Sequence, residues 1–396
     1  MSALKYWIWL AARNGIGCGR ARQLIEHFGT PEAVYRARYS DYTDVDGIRP
    51  AHIKELMLKE LDIAGDILSS CSQIGCRIIT LQDSEYPDRL RNIYDPPLLL
   101  YVRGTMPNID DHPVIGVVGT RKCTPYGIKT AENVCYDLSR RGVITVTGLA
   151  RGVDTAAARG ALRGGSPTIG VIGSGLDVVY PPENRAVYDD VAGFGAVISE
   201  YPPGTPPVQY HFPARNRIIS GLSLGVAVIE APKKSGALIT AARALEQGRD
   251  VFALPGNVDA ATCVGSNALL REGAIPFTSA DDIIDEYIEL YPHILDVTKD
   301  ADHKKSIDNS LKVDYIDKVI PGGELPFDLD GLDGDEKCVA QSIAQESLHI
   351  DEIMVSTGLS AQKVLTTLTM LELGGYVHRD INGKWEIKFQ SLQTKL

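Results

Sequence analysis

A chain of 396 residues is too long for one ordinary core and points to two or three domains. Hydrophobic residues make up 44% and charged residues 23%, as in a soluble globular protein, and the apolar run in MSALKYWIWLAARNG, about 7 residues, falls well short of the roughly 20 that span a bilayer. The reading is a buried first helix, no membrane partner and a cytoplasmic location. A net charge of −11 argues against a surface that binds nucleic acid all over. The charge is uneven, however: residues 112–271 sum to roughly +4 and residues 272–336 to roughly −13.

In chain order, residues 1–65 predict an all-α domain of short helices. NGIGCGRARQLIEHFGTPEAV sets Gly15-Ile16-Gly17 before a helix whose buried face carries Ala21, Leu24, Ile25 and Phe28. VDGIRPAHIKEL repeats the turn and the helix. These read as helix-hairpin-helix units, in which glycines bring backbone N–H groups up to a phosphate, or as plain helix-joining turns. Few lysines flank them. The seven cysteines, Cys18, Cys71, Cys76, Cys123, Cys135, Cys263 and Cys338, form no C-x-x-C and accompany no histidine pair. They read as reduced thiols, with no structural metal.

From residue 66 to 291 strands alternate with helices. The apolar runs HPVIGVV, VITVTG, PTIGVIGSG, GAVISEYP, GVAVIEAP and DVFALPG are separated by helical patterns such as YGIKTAENVCYDLSRRG. Near-continuous apolar strands between helices predict an α/β domain: a doubly wound, Rossmann-like parallel sheet covered on both faces. Its loops gather at the carboxyl ends of the strands.

Those loops carry the chemistry. VVGTRKCTPYG puts Gly119 and Thr120 directly after a strand, then Arg121 and Lys122, with a helix starting near Tyr126. The helix start, the Thr120 hydroxyl and Arg121 are expected to face an anion. The pattern is neither G-x-G-x-x-G nor a Walker loop, so no nucleotide cofactor is expected. TGLARGVDTAAARGAL brings Gly148, Arg151 and Gly152, with Asp154 as helix N-cap. In HFPARNRIISGLS a helix is expected from near Arg215, so that Arg215 and Arg217 oppose its dipole unless an anion or a carboxylate, Glu200 or Glu230, pairs with them. Phe212 beside them is either core or a platform for a nucleobase. EAPKKSGALITAARALEQGR places Lys233, Lys234, Ser235 and Gly236 before a helix. Several anion-friendly loops along one sheet edge suit a chain of phosphates.

Residues 292–333 are polar and acidic and read as a linker. In 334–396 three helical patterns precede YVHRD-ING-KWEIKF, a hairpin turning at Asn382-Gly383. Three helices and a hairpin predict a winged helix. Its recognition helix, Ser360 to Leu373, offers only Gln362 and Lys363 against Glu372, too little for sequence-specific duplex readout. A protein-contact role fits it better.

The ordered set GTR…YG, GLARGVD…GAL, GSGLDVVYPPEN, SEYPPGT, FPARNRIISGLS, EAPKKSGALITAARALEQGR and GSNALLREGA, over roughly residues 75–290, resembles the DNA-processing protein A family (DprA, also called Smf). The flanking helical domain, helix-hairpin-helix or SAM-like, and the terminal winged helix resemble the family's arrangement. The resemblance implies a single-stranded DNA binder that protects the strand and helps load the RecA recombinase in natural transformation. It implies a homodimer formed through the core and no enzymatic turnover. The family's G-[ST]-R loop falls on Gly119, Thr120 and Arg121, with Arg121 as the main phosphate contact. FP-x-RNR falls on Phe212, Arg215, Asn216 and Arg217, and K-S-G-x-L-x-T on Lys234, Ser235, Gly236, Leu238 and Thr240. Where the family commonly has histidine after GVDxxA, this chain has Ala158. A phosphoribohydrolase-like enzyme would carry P-G-G-x-G-T after a strand, whereas this strand ends ALPGNVDAAT. A winged-helix transcription regulator is the third reading, and the sparse recognition helix opposes it.

Overall fold

The first 73 residues form α1 (Leu4–Ala11), α2 (Cys18–Phe28), α3 (Pro31–Arg36), α4 (Tyr39–Thr43), α5 (Pro50–Leu56) and α6 (Asp62–Gln73). The structure is a computed structural model, described over residues 3–295, 334–343, 348–373, 377–379 and 384–387. Two of the joints are one and the same turn. Gly15 and Gly47 take φ of 72° and 76°, which glycine reaches without a Cβ clash. Ile16 and Ile48 then each donate to a carbonyl three residues back, at 3.2 Å in both cases. The core of this region is aromatic: Tyr35 meets Tyr6 and Trp9 at 5.1 Å between ring centroids. Lys59 lays its ammonium over Trp9, Tyr35 and Tyr42 and donates to the Tyr42 hydroxyl at 2.7 Å. Helix α6 runs through the boundary expected at residues 65 and 66, and the helical region shares one compact unit with the sheet.

The sheet region follows in the order β1 (Arg77–Thr80), α7 (Asp88–Arg91), β2 (Leu99–Gly104), β3 (Val114–Val118), α8 (Pro125–Arg140), β4 (Ile144–Thr147), α9 (Val153–Gly164) and β5 (Thr168–Ile172). It continues through α10 (Arg185–Phe194), β6 (Ala196–Ser199), α11 (His211–Leu222), β7 (Gly225–Val228), α12 (Gly236–Glu246), β8 (Asp250–Ala253), α13 (Val264–Arg271), β9 (Ile275–Pro276), α14 (Ala280–Ile284) and α15 (Pro292–Leu295). The strands lie side by side as β1-β2-β6-β5-β4-β3-β7-β8-β9. From β6 to β9 every neighbour is parallel. β1 and β2 add an antiparallel margin that the strand pattern had not distinguished from the rest.

Strand β3 explains the apolar runs. Val114 and Val118 point into one core layer, with Ile218, Ile219 and Leu222 of α11 and Ala237, Ala241 and Ala244 of α12. Ile115 and Val117 point into the other, with Ala131, Val134 and Leu138 of α8 and Ala156, Ala157 and Ala161 of α9. Both faces are dry, so alternation disappears from the sequence. The chain leaves β3 toward β4, β5 and β6, then returns to the opposite side as β7. That reversal opens a crevice at the carboxyl ends of β3 and β7.

One interior feature costs stability. Thr145 and Thr168 are register partners on β4 and β5, both fully buried. Neither hydroxyl has a hydrogen-bond partner among the described residues. Thr145→Val keeps the shape and removes an unsatisfied polar group. The expected gain is about 1 kcal/mol, read as a higher urea midpoint at unchanged slope. A lower midpoint would mean that the hydroxyl is satisfied.

The second unit, taken by itself, has α16 (Gly334–Ser342), α17 (Ile350–Thr357), α18 (Ala361–Leu373) and a hairpin of β10 (Val377–Arg379) and β11 (Trp385–Ile387). Its core joins Val339, Ile343, Ile353, Val364, Leu368 and Trp385. This is the winged helix expected from the pattern; the Asn382-Gly383 turn lies outside the described residues. So does most of the expected linker, residues 296–333, while its first residues form α15. Among the described residues no helix is long and apolar enough to cross a membrane.

Candidate nucleic-acid interface

A cleft of about 810 Å³ occupies the crevice between β3 and β7. The loop after β3 supplies its rim. Thr120 is buried; its N–H donates to the Glu230 carbonyl at 2.8 Å and its hydroxyl accepts from the Lys122 N–H at 3.2 Å. Gly119 is backed by Val153. This bracing turns Arg121 and Lys122 outward, and both are exposed. The Arg121 guanidinium lies over the Phe212 ring, 5.2 Å from its centroid, where a cation meets the negative face of the ring.

The start of α8 differs from expectation. It was read as a place for an external anion, yet a carboxylate from the chain already sits there. Glu230, 1% exposed at the end of β7, accepts from the Thr124 N–H at 2.9 Å and from the Thr124 hydroxyl at 2.5 Å. Thr124 also caps the helix, accepting from Gly127 at 3.1 Å. A carboxylate so placed complements the helix dipole and leaves this end closed to phosphate.

The α11 stretch is corrected too. The helix starts at His211, with Tyr210 as N-cap, so Pro213 stands third in the helix, where its missing N–H costs nothing. Arg215 and Arg217 lie beyond the first turn and are 200° apart around the axis. Arg215 is 4% exposed and donates to the Val171 carbonyl at 2.7 Å. It faces Asp154, and burial works against both charges: it pulls Arg215 down to about 10 and pushes Asp154 up, while each ion's opposite charge resists the change. Both side chains lie buried on the cleft floor, and Arg215 Nε has no hydrogen-bond partner among the described residues. Gly148 makes the approach possible, since a Cβ there would stand 2.0 Å from Arg215 Nη1. Asp154 is not the N-cap of α9; Gly152 is, and the Asp154 carboxylate accepts from the Ala150 N–H at 3.4 Å.

Arg217 points the other way and does not line the cleft. It donates to Glu200 at 2.7 Å and to Asp95 at 3.3 Å. Of the two carboxylates weighed from the sequence, Glu200 is its partner and Glu230 is not. Asn216 donates to the Gly236 carbonyl at 3.2 Å, and the Thr240 hydroxyl reaches the same oxygen at 3.4 Å. Asn216 therefore holds α12 against α11, while the Thr240 bond stays within α12; each residue touches the cleft. Ser235 caps α12, accepting from Ala237 at 3.2 Å. Lys234 stands exposed on the cleft rim; Lys233 is exposed but outside the lining. Arg151 is paired with Glu183 and lines a smaller recess beside the cleft.

Sequence reasoning missed Tyr180. Its ring, 36% exposed, meets Phe212 at 5.7 Å between centroids and lines the cleft. Nothing in VVYPPEN marks it; only the folding of β5 beside α11 brings the rings together. The finished site has Arg121, Lys122 and Lys234 on the rim, forming no ion pair among the described residues. Two rings form a wall, and Arg215 and Asp154 lie buried at the floor. Among the described residues, no three His, Cys, Asp or Glu side chains cluster to hold a metal. On α18, Lys363 is engaged by Asp335 at 3.0 Å, and Leu365 and Met370 are exposed.

Residues 77–288 match the family model described as DNA recombination-mediator protein A, and residues 324–381 match the DprA winged helix domain. The chain is 32% identical to Protein Smf of Synechocystis over 95% of this chain and 96% of that one. It is 47% identical to DNA processing protein DprA of Streptococcus pneumoniae over 52% of this chain and 73% of that one. The Bacillus subtilis DprA matches at 39% identity, over 62% and 82%. Among solved structures, the X-ray structure of the Streptococcus pneumoniae DprA superposes with a TM-score of 0.64 at 36% identity, covering 72% of this chain and 99% of that one. With the sheet, the winged helix and the loop motifs in place, these matches make the chain a member of the DNA recombination-mediator protein A (DprA/Smf) family.

Proposed function

We propose that the chain is a single-stranded DNA-binding recombination mediator. In this reading it covers incoming strands during natural transformation and helps load a RecA-type recombinase, acting in the cytoplasm as a homodimer joined through the sheet domain, without turnover of its own. One observation carries the reading: three cations that form no ion pair among the described residues surround a two-ring wall at the sheet's reversal point. Cations spaced along a rim neutralise successive phosphates. Phe212 and Tyr180 offer stacking faces worth about 1–3 kcal/mol per base without sequence preference. A paired duplex keeps its base faces stacked internally and cannot use such a wall. Arg121, Lys122, Lys234 and Phe212 are assigned to the ligand; Thr120, Arg215, Asn216, Ser235, Gly236 and Thr240 frame the cleft.

The test is a salt-titrated anisotropy measurement on oligo-dT against duplex of equal length. Three rim contacts at about 0.7 counterions each give a log–log slope near −2. Affinity for oligo-dT is expected to exceed that for duplex by about tenfold or more. Equal affinity for both, or a slope near zero, would remove the assignment.

A further inference from the structure

The sheet's outer margin holds a feature that strand binding does not use. Helix α6 ends in a Schellman motif. Gly75 takes φ of 65°, Cys76 N–H donates to the Cys71 carbonyl at 2.8 Å, and Gly75 N–H donates to the Ser72 carbonyl at 3.4 Å. In this motif the residue three before the cap and the second residue after it are clasped by one hydrogen bond, and their side chains lie together. Here those residues are both cysteines. Cys71 is buried and Cys76 half-buried, and both sulfurs are reduced. Each thiol acts on the other, pushing Cys71 up and Cys76 down. Cys76 Sγ also lies 3.3 Å from the Arg77 carbonyl.

We propose that Cys71 and Cys76 form a redox-active pair that closes to a disulfide on exposure to a hydroperoxide. A disulfide needs Cα atoms about 4.4–6.8 Å apart and Cβ vectors that converge. The Schellman clasp holds the two backbones one hydrogen bond apart, with the side chains on the same side of the helix end. The half-buried Cys76 is the sulfur an oxidant can reach. Its thiolate attacks the peroxide, forming an S–O bond as the O–O bond breaks and an alcohol or water leaves. The Cys71 sulfur then attacks the resulting sulfenic acid; the S–S bond forms, the S–O bond breaks, and water departs with the Cys71 proton. Two electrons pass from the two thiols to the peroxide. The product ties the last turn of α6 to the first residues of the sheet margin.

The experiment treats the full chain with hydrogen peroxide, blocks remaining thiols, and maps peptides without reduction. The expected result is that the segment holding Cys71 and Cys76 loses two hydrogens, with a bridged fraction about tenfold above that of any other cysteine pair. In Cys71→Ser, Cys76 is expected to accumulate as a sulfenic acid trapped by dimedone, because its resolving partner is gone. Because β1 stands five strands from β3, about 24 Å at the usual strand spacing, bridging is expected to leave oligo-dT affinity within about twofold. Oxidation of the exposed Cys338 while Cys71 and Cys76 remain thiols would overturn the proposal. So would dimedone labelling of Cys76 in the unsubstituted chain without bridge formation. The wild-type map needs no variant to fold, and its failure is separable from a failure of strand binding.

Discussion

Arg121→Ala is expected to weaken oligo-dT binding by about 10- to 100-fold while leaving the melting temperature unchanged. A charge-assisted contact to phosphate contributes about 1.5–3 kcal/mol, which converts to that range. Two effects combine in this residue. Its guanidinium supplies rim charge, and it lies on the Phe212 ring, so its loss also removes a cation from that ring face. The stability prediction follows from exposure: the side chain forms no ion pair among the described residues, and exposed substitutions away from such features stay within about 0.5 kcal/mol. The salt slope should shrink by about 0.7, the contribution of one single-strand phosphate contact. Arg121→Lys should retain the slope and part of the affinity, because it keeps the charge and loses the planar face. A folded Arg121→Ala protein with unchanged affinity and slope would move the interface elsewhere.

What could be read in advance divides along a physical line. β3 was legible because burial on both faces writes an unbroken apolar run, and the winged helix because helical periods and a hairpin are local. β1 and β2 were not: RIIT and LLLYVR were not among the runs read as strands, and pairing direction is set by distant partners. The exposed, unpaired placing of Arg121 was legible because a strand end followed at once by cations, with no carboxylate nearby in sequence, leaves few ways to satisfy the charge among the described residues. The fate of the α8 terminus was hidden because Glu230, which fills it, is 106 residues from Thr124. Of Arg215 and Arg217 one was expected to be structural and one to face the ligand, but sequence alone does not say which. Two residues along a helix is 200°, and the fold sends one to the cleft floor and the other to Glu200.

That divergence yields the largest stability effect expected of a single substitution here. Arg217 is 12% exposed and Glu200 21%, and the pair is closed at 2.7 Å, with Asp95 adding a second, half-exposed carboxylate. Removing one partner of a largely buried pair leaves the other charge without compensation, at a cost of about 3–5 kcal/mol when burial is complete. Partial exposure of Glu200 and the small worth of an exposed limb bring the expectation for Arg217→Ala to about 2–4 kcal/mol. For a unit of this size that lowers the melting temperature by roughly 5–10 °C. Oligo-dT affinity, measured well below the transition, should stay within about twofold, because Arg217 does not line the cleft. The double change Arg217→Ala with Glu200→Gln separates the causes. If the loss comes from a stranded carboxylate, neutralising Glu200 restores part of it, and the two substitutions are strongly non-additive. Additive losses would point to packing of the arginine stem instead. A full melting temperature combined with a tenfold loss of oligo-dT affinity would return Arg217 to the ligand side.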